Sequence, residues 1–244
     1  LETSSTAAES SNSNYSFDFQ DGWVGSAFGT SYYSWMWKRA RGFCDVVAYT
    51  GTGSATTVTH NLGAVPEMMW VKRRSGTRSW FVYHSALGNT GRIKLDKTDA
   101  GATGYGDWNS TTPTSSVFSV GSGTNTNGNG ETYIAYLFAT VAGISKVGSY
   151  TGNGSTTGPI VDCGFSNGVE FILIKRTDTT GDWVIYDTAR GITSGDDKTL
   201  ELNTTDAQTE GQVLNSNSSG FQLATGDSFA NASSGTYIFY AIAA

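Results

Sequence analysis

The stretch Gly130–Ala139, which reads GETYIAYLFA, indicates the fold class of this chain. A glycine turn precedes an apolar run that is rich in aromatic side chains. β-branched and aromatic residues favour extended backbone, so the run predicts a strand that is buried on both faces rather than a short helix. Similar stretches at Gly29–Trp37 and Gly235–Ala243 predict two further strands of this kind.

The spacing of these stretches indicates a tandem array. Their tyrosines, Tyr32, Tyr133 and Tyr237, lie 101 and 104 residues apart, and a period of this length is the signature of repeated units. The order of motifs between them recurs as well, since Trp80 is answered by Trp183 in a similar context. A unit of about 100 residues is large enough for one β-sandwich core.

We therefore predict an all-β chain of tandem antiparallel β-sandwich units, of jelly-roll or lectin-like type. The units are expected at residues 43–143 and 144–244, with residues 1–42 as the C-terminal remnant of a preceding unit. The sequence begins in the middle of the pattern, so we expect it to be part of a longer protein. The remnant carries the predicted strand Tyr32–Trp37, which is expected to pack against a partner because an isolated strand pair is marginal in water.

The composition excludes several classes of protein. The chain of 244 residues contains 31 Gly and only 15% charged residues, which is typical of a turn-rich β protein and not of a disordered one. Its net charge of −6 argues against nucleic-acid binding, and no apolar run is long enough to predict membrane insertion. Cys44 and Cys163 do not occupy matching places in the two units, which predicts free buried thiols.

Four motifs resemble those of a tandem-repeat family of β domains found in bacteriophage tail-fibre and tail-associated virion proteins. The motifs are Trp35–Phe43, Tyr49–Gly53, Val71–Arg74 and Asp182–Gly191. The resemblance extends over nearly the whole chain. It implies a virion surface protein with a lectin-like sandwich fold, and it brings no enzymatic activity with it.

From this resemblance we expect a structural or adhesive component of a phage tail appendage that attaches to a host-surface glycan, outside the host cell. A homotrimer and contacts with other virion tail proteins are implied by the same resemblance. Two alternatives stay open. One is a bacterial cell-surface or filament protein built from the same unit, and the other is a glycan hydrolase of the tail-spike kind.

Four aromatic residues are the candidate glycan-binding side chains: Trp80, Tyr83, Trp183 and Tyr186. An exposed tryptophan can stack on a sugar ring. The alternative, which the strand pattern favours, is that Trp80 and Trp183 belong to the cores of their units and stabilise them by burial.

A polar cluster is predicted from Asp182, Asp187 and Arg190, because all three follow or precede one short apolar strand. We expect Arg190 to pair with Asp187 or another carboxylate and close a turn. The first unit has other residues at these places, so a reaction that needed all three could run in one unit only. The sequence offers no nucleophile elbow and no phosphate-binding loop, and we expect no catalytic residues.

No metal site or cofactor is predicted. His60 and His84 have no Cys, Asp or Glu at ligand spacing. Loop aspartates at Asp178, Asp182, Asp196 and Asp197 could supply oxygen ligands to calcium, but their spacing does not match an EF-hand. Solvated loop side chains are the simpler interpretation.

Overall fold

The protein is all-β. The computed structural model of the chain describes residues 1–11, 13, 15–19, 22–25, 33–192 and 197–244. Over these residues the strands pair in antiparallel sheets, and the helical content is a single 3-10 turn at Ser85–Leu87. This confirms the all-β, antiparallel part of the predicted fold class. Among the same residues no helix is long and apolar enough to cross a membrane.

Two strands near the start form a separate hairpin, in which β1 (Tyr15–Phe19) pairs with β2 (Gly22–Gly25). The next seven strands form two sheets, which we call the first sheet pair. Its large sheet has the order β3-β9-β5-β6-β7, and its small sheet pairs β4 with β8. The strands are β3 (Cys44–Thr50), β4 (Thr56–Thr59), β5 (Met68–Arg73), β6 (Phe81–His84), β7 (Ile93–Lys94), β8 (Val117–Val120) and β9 (Thr132–Phe138).

The remaining nine strands form a second sheet pair. Its large sheet has the order β10-β18-β12-β13-β14-β15, and its small sheet has the order β11-β17-β16. The strands are β10 (Ser145–Thr151), β11 (Ile160–Asp162), β12 (Val169–Arg176), β13 (Trp183–Asp187), β14 (Asp197–Glu201), β15 (Thr209–Gly211), β16 (Leu214–Asn217), β17 (Gly220–Leu223) and β18 (Thr236–Ala243). In each large sheet, the first and the last strands of the sheet pair in chain order lie side by side.

Each large sheet is buried on both faces, as the apolar runs predict. Along β5, Met68 and Trp70 enter a core that lies between the two large sheets, which we call the shared core. The alternate residues Met69 and Val71 enter a separate core against the small sheet. The second sheet pair repeats this division with a third core of its own. Because successive strand side chains point to opposite faces, a strand covered on both sides needs an unbroken apolar run.

The segment that follows the first hairpin differs from its prediction. Tyr32 lies outside the described residues, and Tyr33–Arg39 form no strand, so the predicted strand Tyr32–Trp37 is wrong over the part that is described. The segment is held by side chains instead. The ring of Trp37 contacts Phe138 of the first sheet pair at 5.8 Å between centroids and Phe171 of the second at 5.5 Å. A strand needs a neighbour with free backbone groups, whereas an aromatic ring needs only an apolar surface.

A buried asparagine fastens the loops of each sheet pair. Asn231 is fully buried, accepts a hydrogen bond from the Asn153 amide, and donates to the Ser155 and Thr225 carbonyls. Asn127 holds the first sheet pair in the same way. Since two of the three bonds of each asparagine join segments more than 70 residues apart, the amide side chain substitutes for secondary structure where the backbone turns.

Replacing Asn231 by Ala is expected to lower the free energy of unfolding by about 2 kcal/mol, because several buried backbone groups lose their partner at once. Chemical denaturation of the variant and the parent measures the change. The exposed Asn61 provides the control, and Asn61→Ala should leave the midpoint unchanged. Equal midpoints for Asn231→Ala and the parent would contradict the structural role of the side chain.

Candidate binding site

The four aromatic candidates are buried and cannot meet a ligand. Trp80, Tyr83, Trp183 and Tyr186 are exposed by 3%, 2%, 0% and 0%. Both tryptophans lie in the shared core, and each tyrosine lies in the core of its own sheet pair. Their prediction as glycan-binding residues is therefore wrong, because another sheet covers each face of the strands or turns that carry them. The alternative interpretation, core packing, describes their positions.

The polar residues after β13 are brought together in part. Arg190 donates from Nε to Oδ2 of Asp187 at 2.6 Å, and the Arg190 backbone amide donates to Oδ1 at 2.8 Å. Arg190 also donates from Nη2 to the Ile185 carbonyl at 3.0 Å. The pair is buried and closes the turn that follows the strand. Asp182 lies apart from it and accepts a hydrogen bond from Asn203 at 2.7 Å.

A third partner completes this polar group, and the sequence did not point to it. Trp35 donates from Nε1 to Oδ2 of Asp187 at 3.0 Å, and the Arg190 guanidinium carbon lies 5.4 Å from the Trp35 ring centroid. The carboxylate thus fixes both a cation and an indole. The aromatic content of Trp35–Trp37 predicts a strand, and nothing in that content identifies a partner 152 residues away.

The Trp35 side chain forms one wall of a cleft of about 400 Å³. Residues 33–38 line one side, and the ends of β12, β13 and β18 line the other. Two large apolar side chains on this wall are exposed, Tyr33 by 50% and Met36 by 61%. The apolar part of the lining includes Trp37, Phe171 and Ile242.

Polar groups stand around this apolar surface. Glu170 and Thr188 border the cleft on the sheet side, and Lys38 borders it on the other. A concave apolar surface with a few polar groups at its rim is the usual form of a small-molecule site. Both carboxylate oxygens of Asp187 accept hydrogen bonds from Arg190, and Oδ2 also accepts from Trp35, so Asp187 positions the wall of the cleft.

The histidines serve the fold. His60 accepts the Leu62 amide at Nδ1 and lies 3.2 Å from the Thr114 carbonyl through Nε2. His84 accepts the Ala86 amide at Nδ1, which caps the 3-10 turn. Burial lowers the pKa of both imidazoles. Neither lies at the cleft.

The loop aspartates considered for calcium are engaged by their own chain. Asp178 pairs with Arg176, and Oδ2 of Asp197 accepts the Val213 and Leu214 amides. Asp196 lies outside the described residues. Within the part of the chain that the structure describes, no group of three or more His, Cys, Asp or Glu side chains could hold a metal ion.

Both cysteines are buried and free. Burial raises the pKa of the Cys44 thiol to about 11 and that of Cys163 to about 12. A thiol with a pKa this high is almost entirely protonated at neutral pH and is a poor nucleophile. The cysteines therefore act as small apolar residues, as their unmatched positions predict.

These features define an all-β domain of antiparallel, sandwich-like sheets with an aromatic cleft at the strand ends of one large sheet. The chain belongs to the DUF7483 family, which is described as a domain of unknown function and whose profile matches residues 2–244. No curated protein and no solved structure shows significant similarity to it.

Proposed function

We propose that this protein is a structural and adhesive component of a phage tail fibre or similar virion appendage, and that its cleft binds a glycan of the host surface. The cleft is the observation that supports the binding role. Its exposed apolar residues, Tyr33 and Met36, stand beside polar groups at Glu170 and Thr188. A sugar ring presents the same combination, with apolar C–H faces and hydroxyl edges.

The proposed site differs from the one expected from sequence, and its rigidity favours binding. Trp35 is held by the hydrogen bond to Asp187 and packs at 6.2 Å, edge to face, against Phe171. A wall that is ordered before the ligand arrives reduces the entropy lost on binding. The aromatic rings supply a large contact area with few rotatable bonds.

We also propose that residues 43–143 and 144–244 are two copies of one β-sandwich unit of jelly-roll or lectin-like type, and that residues 1–42 are the C-terminal part of a third. The corresponding strand orders of the two large sheets support this. So do the paired tyrosines, since Tyr49 stands opposite Tyr133 in the same way as Tyr150 stands opposite Tyr237. Assembly of this chain into a homotrimer, and contacts of that trimer with other virion tail proteins, are part of the same proposal.

Glycan binding is tested with immobilised bacterial surface polysaccharides and their oligosaccharides. Tyr33→Ala is expected to weaken binding of the glycan that the parent protein binds by about tenfold, which corresponds to about 1.4 kcal/mol. Tyr105→Ala is the matched control, because Tyr105 is similarly exposed, by 42%, and lies outside the cleft. Surface plasmon resonance measures both variants against the parent.

Two outcomes would contradict the proposal. Equal affinities for Tyr33→Ala and the parent would remove the cleft as the binding site, and release of shorter saccharides from the polysaccharide would show a hydrolase. The bacterial-surface alternative is separated by the neighbourhood of the gene, since a virion protein is expected beside capsid and tail genes.

A further inference from the structure

The second sheet pair holds a segment of the first through a lysine and a tryptophan. After β7 the chain crosses to the second sheet pair, where Lys175 is fully buried although it is a cation. Its Nζ donates to the carbonyl of Thr98 at 3.0 Å, and Nε1 of Trp183 donates to the carbonyl of Lys94 at 2.8 Å. Two backbone bonds complete the contact, from Gly181 N to Thr98 O and from Gly101 N to Thr177 O. We call this the Lys/Trp socket.

The first sheet pair has an equivalent socket, and residues 1–9 fill it. Nζ of Lys72, which is also fully buried, lies 3.3 Å from the carbonyl of Thr6, and Nε1 of Trp80 donates to the carbonyl of Glu2 at 2.9 Å. Here too two backbone bonds complete the contact, from Arg78 N to Thr6 O and from Glu9 N to Arg74 O. Bond for bond, Glu2, Thr6 and Glu9 take the places of Lys94, Thr98 and Gly101.

The turns that enter the two large sheets match in the same way. The Cys44 amide donates to the Ala40 carbonyl and the Ala40 amide donates to the Cys44 carbonyl; Ser145 and Val141 repeat both bonds. Residues 1–42, which we call the N-terminal segment, are therefore joined to the first sheet pair in the same way as the first sheet pair is joined to the second.

The N-terminal segment also contacts the second sheet pair directly. Trp35 donates to Asp187, and Thr3 donates from Oγ1 to the Leu202 carbonyl at 2.8 Å. If the N-terminal segment, the first sheet pair and the second sheet pair lay in an open row, the first and the last of them would not touch. Their contact, at the shared core against which Trp37 packs, indicates a ring of three members in which each sheet pair holds the member that precedes it in the chain.

In such a ring a third contact of the Lys/Trp socket kind remains to be formed, by a segment of the second sheet pair. In the second sheet pair, Leu202 N donates to Trp183 O as Leu95 N does to Trp80 O, which aligns Glu201–Gln208 with Lys94–Gly101. Residues 205–208 are exposed, and over the described residues neither the Thr205 carbonyl nor the Gln208 amide has the partner that its counterpart has. Leu202 is half-buried, whereas Leu95 is fully buried.

We propose that Glu201–Gln208 is a docking edge for a third unit of this same fold, which presents a Lys on its β5-type strand and, eight residues later, a Trp where its β6-type strand begins. The proposal rests on the two-copy architecture put forward above. The charges agree with it. Asp206 takes the place of Asp99, which lies near enough to Lys175 to oppose the effect of burial on the pKa of that lysine.

The alignment also dictates the experiment, because Leu1 takes the place of Ile93. Joining an additional copy of residues 43–92 to the amino group of Leu1 completes a third unit on the full chain. In this extended chain we expect a monomer in which hydrogen exchange at the Gln208 amide is at least tenfold slower than in the parent. The Gly101 amide, whose partner is already present, should exchange at the parent rate.

Matched variants isolate the socket. Lys72→Met together with Trp80→Ala, introduced in the added copy only, should return the Gln208 amide to the parent rate. If the Gln208 amide of the extended chain exchanges hydrogen at the parent rate, the proposal is overturned. This holds both when the added copy folds without contacting Glu201–Gln208 and when it remains sensitive to protease. The proposal is also overturned if the parent chain forms a dimer in which the Gln208 amide is already protected from exchange, because a second copy of the chain would then occupy the edge. Glycan binding at the cleft does not enter these measurements, so either proposal can fail without the other.

Discussion

Replacing Trp183 by Ala is expected to lower the free energy of unfolding by about 3–5 kcal/mol, the usual cost of removing a fully buried tryptophan. The side chain is 0% exposed and lies in the shared core between the two large sheets. Its indole nitrogen also donates to the Lys94 carbonyl, so the substitution removes a bond between the sheet pairs as well as leaving a cavity. Denaturant titration measures the change.

Two variants separate these contributions. Trp183→Phe keeps most of the apolar volume but removes the N–H group, and it should cost about 1–3 kcal/mol. Trp80→Ala should resemble Trp183→Ala, because Trp80 is 3% exposed and donates to the Glu2 carbonyl in the equivalent position. If Trp183→Ala melted with the parent and lost only glycan binding, the side chain would be a surface platform and its burial would be refuted.

The second large effect is a loss of stability in acid that comes from His84. Burial lowers the pKa of this imidazole from 6.5 to about 4 in the folded protein, and the nearby Phe239 carbonyl opposes the shift only in part. Between pH 6.5 and pH 4 the unfolded chain therefore binds a proton that the folded chain does not. Stability falls as the pH falls through this window, by about 3 kcal/mol in all.

His84→Asn tests the assignment. An asparagine can still accept the Ala86 amide at the start of the 3-10 turn but does not titrate. The stability of this variant should vary less between pH 6.5 and pH 4 than that of the parent, when both are followed by denaturant titration at each pH. His60→Asn, which removes the other buried histidine, is measured in the same way for comparison. A parent-like pH profile for His84→Asn would show that carboxyl groups carry the effect.

The sequence by itself determined the all-β character of the chain and which strands are covered on both faces. The unbroken apolar runs of β5, β9, β12 and β18 have the composition that only a strand covered on both faces requires. It also indicated that Asp187 and Arg190 belong to one turn, because they are three positions apart in the chain. Both inferences concern groups that are close in the chain, where backbone geometry limits the possible arrangements.

Only the tertiary structure decided which apolar residues face solvent. Trp183 and Trp35 are both tryptophans in apolar contexts, but one lies inside the shared core and the other lines a cleft. The difference arises from what packs on them, and the packing elements come from distant parts of the chain. For the same reason Trp35 could not be paired with Asp187 from sequence, and residues 33–39 could not be recognised as a segment without strand pairing. A strand forms only where a neighbouring strand offers free backbone groups, and that neighbour is chosen by the whole fold.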